Sequence, residues 1–152
     1  NCGQKINLKD PQGWSNRIGN PVFHEHGDNR IHVEGVILNQ KDITLHHFFN
    51  VVGGSLTETS LTLPTDEGVL LLHNGETCNG QPGKIQVFVY QTRGEFYTQQ
   101  KLDSYTNYIL SPFAAIPPGD CIILEFDVEK EKTDHICTSY QSAIERGELY
   151  GR

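Results

Sequence analysis

Apolar positions recur along this chain with two different periods, and the switches between them mark its elements. In residues 21–38 the β-formers Ile31, Val33 and Val36-Ile37-Leu38 accompany the turn sequence Gly27-Asp28-Asn29, which predicts a hairpin. The period then lengthens. Leu45, Phe48, Phe49 and Val52 fall at i, i+3, i+4 and i+7, Asp42 or Thr44 can cap the segment, and Gly53-Gly54 stops it. This predicts a short helix with one apolar face. Looser alternation returns over residues 55–64 with Leu56, Leu61 and Leu63, a Thr-rich strand ending at Pro64, and residues 68–73 supply another strand. A loop at 73–84 is punctuated by Asn-Gly twice and Pro-Gly once.

"KIQVFVYQ" is the clearest strand. Ile85, Val87 and Val89 share one face, Phe88 and Tyr90 the other, and bulk on both faces predicts a central position. Residues 92–107 are polar with scattered aromatics and read as an insertion or long loop. "NYILSPFAAIPPGDCIILEFD" predicts a short strand, a loop with a Pro-Pro-Gly turn, and a strand over 121–126. The segment after it reads as an amphipathic helix with Ile136, Tyr140, Ala143 and Ile144 on its apolar side and Gly147 as C-cap.

These elements predict an α+β fold. A single mixed sheet covers the apolar face of the short helix in a β-grasp-like core, with a β-sandwich as the alternative. The core domain spans residues 21–127 with an insertion at about 91–107. An irregular N-terminal arm (1–20), anchored by Cys2 and Trp14, and a C-terminal helical appendage (128–152) complete it.

Composition narrows the function classes. Twelve basic against nineteen acidic residues give a formal charge of -7, and no basic stripe exists to collect phosphates, which argues against a nucleic-acid partner. Apolar runs such as Val69-Leu70-Leu71-Leu72 fall far short of the about 20 residues that a membrane span requires. The chain lacks methionine and starts at Asn1, as either a processed secreted protein or a trimmed chain would. Its four cysteines, Cys2, Cys78, Cys121 and Cys137, allow three pairings and form no CxxC motif. Their wide spacing predicts disulfides in an oxidising, extracytoplasmic compartment, whether secreted, periplasmic or at the cell surface.

The concentrated chemistry lies in "FHEHGDNRIHVEG". His24 and His26 alternate, so on a strand both rings lie on one face, with His32 on the return strand. A turn centred on Asp28-Asn29 sets Glu25 against His32, whereas a five-residue loop sets His26 against His32. Of these two, only the second gathers all three rings. Imidazoles converging on one point suit zinc or copper, with Asp28 or Glu34 as a further ligand or as an acceptor that orients a ring. His46 and His47 on the short helix are alternative ligands. No catalytic residues emerge: Ser55, Ser60, Ser104 and Ser139 lack a nucleophile elbow, Cys78 near His73 is more simply half of a disulfide, and "NGQPG" lacks the ending of a phosphate loop. Phe96, Tyr97, Tyr105, Tyr108 and Phe113 either line a groove or cover the sheet.

The same residues carry a resemblance. The chain resembles a largely uncharacterised family of small secreted or membrane-anchored bacterial and archaeal proteins. Members have a histidine-bearing hairpin with an IHVE strand (here Ile31 to Glu34), a TL–FF helix (Thr44 to Phe49), a cysteine-containing loop (Cys78), a K-x-x-V-x-V strand (from Lys84) and a PGD-x-I-x-I-x-F strand (Pro118 to Phe126). The match covers roughly residues 22 to 127 in order. It implies an extracytoplasmic domain and brings no activity. The chain departs from the pattern after Tyr90, where an Asn-Gly turn gives way to Gln91-Thr92-Arg93-Gly94, and in residues 128–152. Cys121 and Cys137 are placed to pin the added helix to the last strand. These additions read as contact surfaces.

The leading expectation is therefore a non-catalytic, extracytoplasmic structural or accessory subunit with a protein partner or a second copy of itself, at a membrane complex or cell surface. Second comes a zinc- or copper-binding or metal-delivery domain built on the histidine hairpin. A metal-dependent enzyme ranks third.

Overall fold

A run of thirteen residues, Gln81–Arg93, forms the longest strand, and every residue from Ile85 to Tyr90 is buried. The computed structural model describes residues 1–14, 16–110 and 119–152. In chain order the elements are β1 (Ile18–Gly19), β2 (Phe23–Glu25), β3 (His32–Val33), α1 (Leu45–Val51), β4 (Ser55–Leu56), β5 (Ser60–Thr65), β6 (Gly68–His73), β7 (Thr77–Cys78), β8 (Gln81–Arg93), β9 (Phe96–Lys101), β10 (Cys121–Val128), α2 (Thr138–Glu145) and β11 (Tyr150–Gly151). Together they make a small α+β domain. A curled mixed sheet packs against two short helices, β-grasp-like rather than a simple sandwich.

The main sheet runs β10-β8-β9-β11 with β7 paired to the start of β8; it is antiparallel except for the parallel β11–β9 pair. Hydrogen bonding divides the remaining strands into β1-β2-β3 and β4-β5-β6. The two faces of β8 feed two apolar clusters. Ile85, Val87 and Val89 pack with Phe23, Phe48, Phe49, Leu56 and Phe126, whereas Tyr90 packs with Tyr140, Ala143 and Leu149. Each large side chain buried in this way contributes about 1.5–3 kcal/mol. Gly83 has no side chain because the Phe126 ring and Cys78 fill the space where a Cβ would stand.

Thr44, rather than Asp42, caps α1: its Oγ1 accepts the His47 N–H at 3.2 Å. A 3-10 turn at Gln40–Ile43 precedes it. On the opposite side Tyr140 is fully buried, and its hydroxyl lies 2.9 Å from the Tyr90 carbonyl and 2.7 Å from that of Gly119. Burial raises the Tyr140 phenol to about 12.

Two disulfides join Cys2 to Cys78 and Cys121 to Cys137, leaving no free cysteine. The first ties the arm to β7, and the Cys2 N–H donates to the Phe126 carbonyl at 2.7 Å. The second fastens the entry of α2 to β10. Two disulfides imply an oxidising, extracytoplasmic environment. No helix among the described residues is long and apolar enough to cross a membrane.

Several local expectations need correction. Residues 91–107 are not a long loop: β8 continues to Arg93, turns at Gly94-Glu95, and returns as β9 with Arg93 opposite Phe96. β9 reads as loop because its inward face carries Gln99 and Lys101 beside Tyr97, so no apolar alternation marks it. The Thr-rich strand is two strands, β4 and β5, paired around the turn at 57–59. Only Thr138–Glu145 of the C-terminal segment is helical. Residues 129–137 lie over the sheet instead, where side-chain amides replace helical hydrogen bonds: Gln86 Oε1 accepts the Lys130 N–H at 2.9 Å and Gln99 Oε1 accepts the Thr133 N–H at 3.0 Å. Trp14 is fully exposed and anchors nothing. The arm is held by Cys2 and by the Lys9 N–H donating to the Pro64 carbonyl. Tyr97 and Tyr105 pack into the protein's own clusters rather than a groove, while Phe113 and Pro117-Pro118 lie outside the described residues.

Candidate metal centre

β2 has one face in the core and one on the cluster. Phe23 packs its ring against Phe48 at 5.2 Å, which holds the hairpin on α1 and turns His24 and His26 the other way. The return through Gly27, Asp28 and Asn29 uses left-handed backbone at Gly27 (φ 78°) and Asn29 (φ 58°), residue types that accept it. β1 closes the other side with Gly19 opposite His24. Gly19 has φ 118°, and a side chain there would strike the Phe23 carbonyl and His24 Cα. Only glycine allows this approach.

The β2–β3 register is neither of the two expected from the turn. His24 lies opposite His32, and Phe23 opposite Val33. This pairing still gathers the three rings, because His24 and His32 are cross-strand neighbours on the face that His26 shares. The His24 and His32 rings lie parallel, 5.5 Å apart, and His26 meets both edge-on at 4.7 and 4.8 Å. One ring nitrogen from each histidine lies within 4.8 Å of the other two.

Among the described residues, hydrogen bonds leave one nitrogen free on every ring. Carbonyls and carboxylates only accept, so the ring nitrogens facing them are protonated. His24 Nδ1–H donates to the Asn20 carbonyl at 3.0 Å, and His26 Nδ1–H to that of Asn16 at 2.5 Å. His32 Nε2–H donates to the Asp28 carboxylate at 3.1 and 3.3 Å. Nε2 of His24, Nε2 of His26 and Nδ1 of His32 are thus the lone pairs that remain. Each imidazole has an oriented ring, a set tautomer and an unspent donor atom, as outer partners of metal ligands provide.

Two carboxylates border the triad. Glu34 Oε2 is 3.9 Å from His24 Nε2, on a side chain that is 61% exposed. Asp28 is engaged with His32 and with the Arg30 N–H at 3.1 Å. Burial alone would raise the Asp28 carboxyl, but these hydrogen bonds and the Arg30 charge outweigh it and hold the group below its ordinary value. Glu25 points away, with Oε1 accepting the Asn29 N–H. His46 and His47 are not part of the cluster. His46 spends both nitrogens, donating to the Leu56 carbonyl and accepting from Asn50, and His47 stacks on Phe23.

What sequence reasoning missed are the carbonyls of Asn16 and Asn20. Asn20-Pro21 signals a turn, and the Asn20 side chain does accept the Val22 and Phe23 N–H groups. A backbone carbonyl, however, leaves no mark on residue type. Comparison with family models, curated proteins and solved structures finds no match. The functional reading therefore stands on the geometry of the site.

Proposed function

We propose that this protein is an extracytoplasmic metal-binding domain that takes up one late first-row divalent ion, zinc or copper, at His24, His26 and His32. The observation that carries this reading is the convergence of three ring nitrogens within 4.8 Å of one another. Donor atoms about 2.0–2.1 Å from a tetrahedral ion are about 3.4 Å apart, so small ring movements suffice to close the set. Neutral imidazole favours zinc and copper over magnesium or calcium, which prefer oxygen. Soft sulfur ligands play no part, since all four cysteines are in disulfides and the chain has no methionine.

Binding or delivery accounts for this arrangement better than the accessory-subunit reading, which predicts nothing about the three oriented rings. An attachment to a protein partner at the cell surface remains compatible with a delivery role.

The test is elemental analysis and calorimetric titration of untagged protein prepared without chelator, beside a His24→Ala/His26→Ala variant. One equivalent of zinc or copper bound by the wild type and lost in the variant is expected. Absence of stoichiometric uptake of either ion by the folded, disulfide-intact wild type would overturn the proposal.

A further inference from the structure

The two carboxylates beside the triad differ in how much of their bonding capacity is spent. Asp28 has both oxygens on His32 Nε2–H and also accepts the Arg30 N–H. Glu34 makes no hydrogen bond through its carboxylate among the described residues, and its oxygen lies 3.9 Å from the free Nε2 of His24. Its backbone is held, with the Glu34 N–H donating to the Val22 carbonyl at 2.8 Å, while the side chain is free to turn. Alternation along β3 puts Glu34 on the face of His32.

We infer that Glu34 is the fourth ligand of the centre and that Asp28 is a positioning residue acting through His32, an assignment that rests on the metal-binding reading above. Nitrogen and oxygen ligands of one tetrahedral ion lie about 3.3 Å apart, close to the separation already present between Glu34 and His24. Three neutral imidazoles leave the full charge of a divalent ion uncompensated, and a carboxylate with no other partner halves it. Asp28 cannot substitute without surrendering the bond that presents His32 Nδ1. The resulting shell is three nitrogens and one carboxylate oxygen. Its oxygen ligand sits on the solvent side, where a partner can displace it, so the ion is exchangeable.

Copper(II) titration with electron paramagnetic resonance tests the assignment on the intact protein. In Glu34→Gln, the parallel g and copper hyperfine values shift and affinity falls by about tenfold or more. In Asp28→Asn, the spectrum stays that of the wild type while affinity falls about 10–100-fold, the usual scale for a group that orients a ligand. Wild-type spectrum and affinity in Glu34→Gln, or a changed ligand field in Asp28→Asn alone, would overturn this inference while leaving the metal-binding reading intact. Failure of the wild type to bind copper or zinc at all would remove both. Glu34 is exposed, and asparagine at 28 still accepts the Arg30 N–H, so both variants are expected to fold.

Discussion

The histidine hairpin and the Glu125 network on the main sheet are built from similar polar residues and spend them in opposite ways. Around buried Glu125, Thr133 Oγ1–H donates to its carboxylate and Lys130 Nζ lies 2.9 Å from it. Gln86 and Gln99 hold the neighbouring backbone, and Tyr90 donates to the His135 carbonyl at 2.8 Å. Every bond there pulls residues 129–135 onto the sheet. In the hairpin each histidine uses one nitrogen to fix its ring, and one nitrogen from each ring lies within 4.8 Å of the other two. A polar group bonded to its neighbours is structure; several fixed rings with nitrogens gathered near one point are a candidate binding site.

The largest break in this comparison comes from the covalent ties of the body. Cys2 and Cys78 are 76 residues apart, and on the chain-entropy scale a closed loop of that length contributes about 4.5 kcal/mol. A Cys2→Ala/Cys78→Ala variant is expected to lose roughly that amount in urea unfolding, yet to bind metal with wild-type stoichiometry while folded. Loss of binding in the folded variant would show that the hairpin depends on the arm's covalent anchor.

Next in size is the stabilisation that metal itself supplies. Zinc at 100 times its dissociation constant should stabilise the wild type by about 2.7 kcal/mol, seen as a rise in melting temperature that the His24→Ala/His26→Ala variant lacks. An equal rise in both proteins would place the binding elsewhere.

The smallest effect belongs to the partnered network and is read with pH. The Lys130 hydrogen bond, against the opposing effect of burial, holds the Asp127 carboxyl below its ordinary value, helped by the Val128 N–H. A depressed folded-state value means stability is fully present above the unfolded carboxylate range, about pH 4, and is lost as pH falls through the folded value. Asp127→Asn should flatten the stability profile below about pH 4. An unchanged acid slope in that variant would assign it to other carboxylates.

How much was legible beforehand follows from how local each cause is. Ile85 to Tyr90 announced a central strand because bulk on both faces leaves few alternatives, and Leu45, Phe48 and Phe49 announced α1 with its Gly53-Gly54 stop. The choice of Thr44 over Asp42 as cap came from the structure. β9 was not legible, since its inward face carries Gln99 and Lys101 beside Tyr97 and only pairing with β8 makes it a strand. Residues 129–137 carry good helix formers, and side chains from distant strands override that preference. Within the site, the alternation of His24 and His26 was readable, and so was the turn at Gly27 to Asn29. The register that sets His24 against His32 was not, nor were the acceptors at Asn16 and Asn20.

The amino-acid order by itself determined which residues could gather: three histidines straddling one turn, two carboxylates beside them, and four widely spaced cysteines. Near-neighbour sterics and alternation suffice for that. Tertiary structure alone decided which cysteines pair, which strand residues face each other, and which ring nitrogen stays free. Those outcomes depend on carbonyls and side chains brought together from separate segments, and their free energies are balanced only once the whole chain has folded.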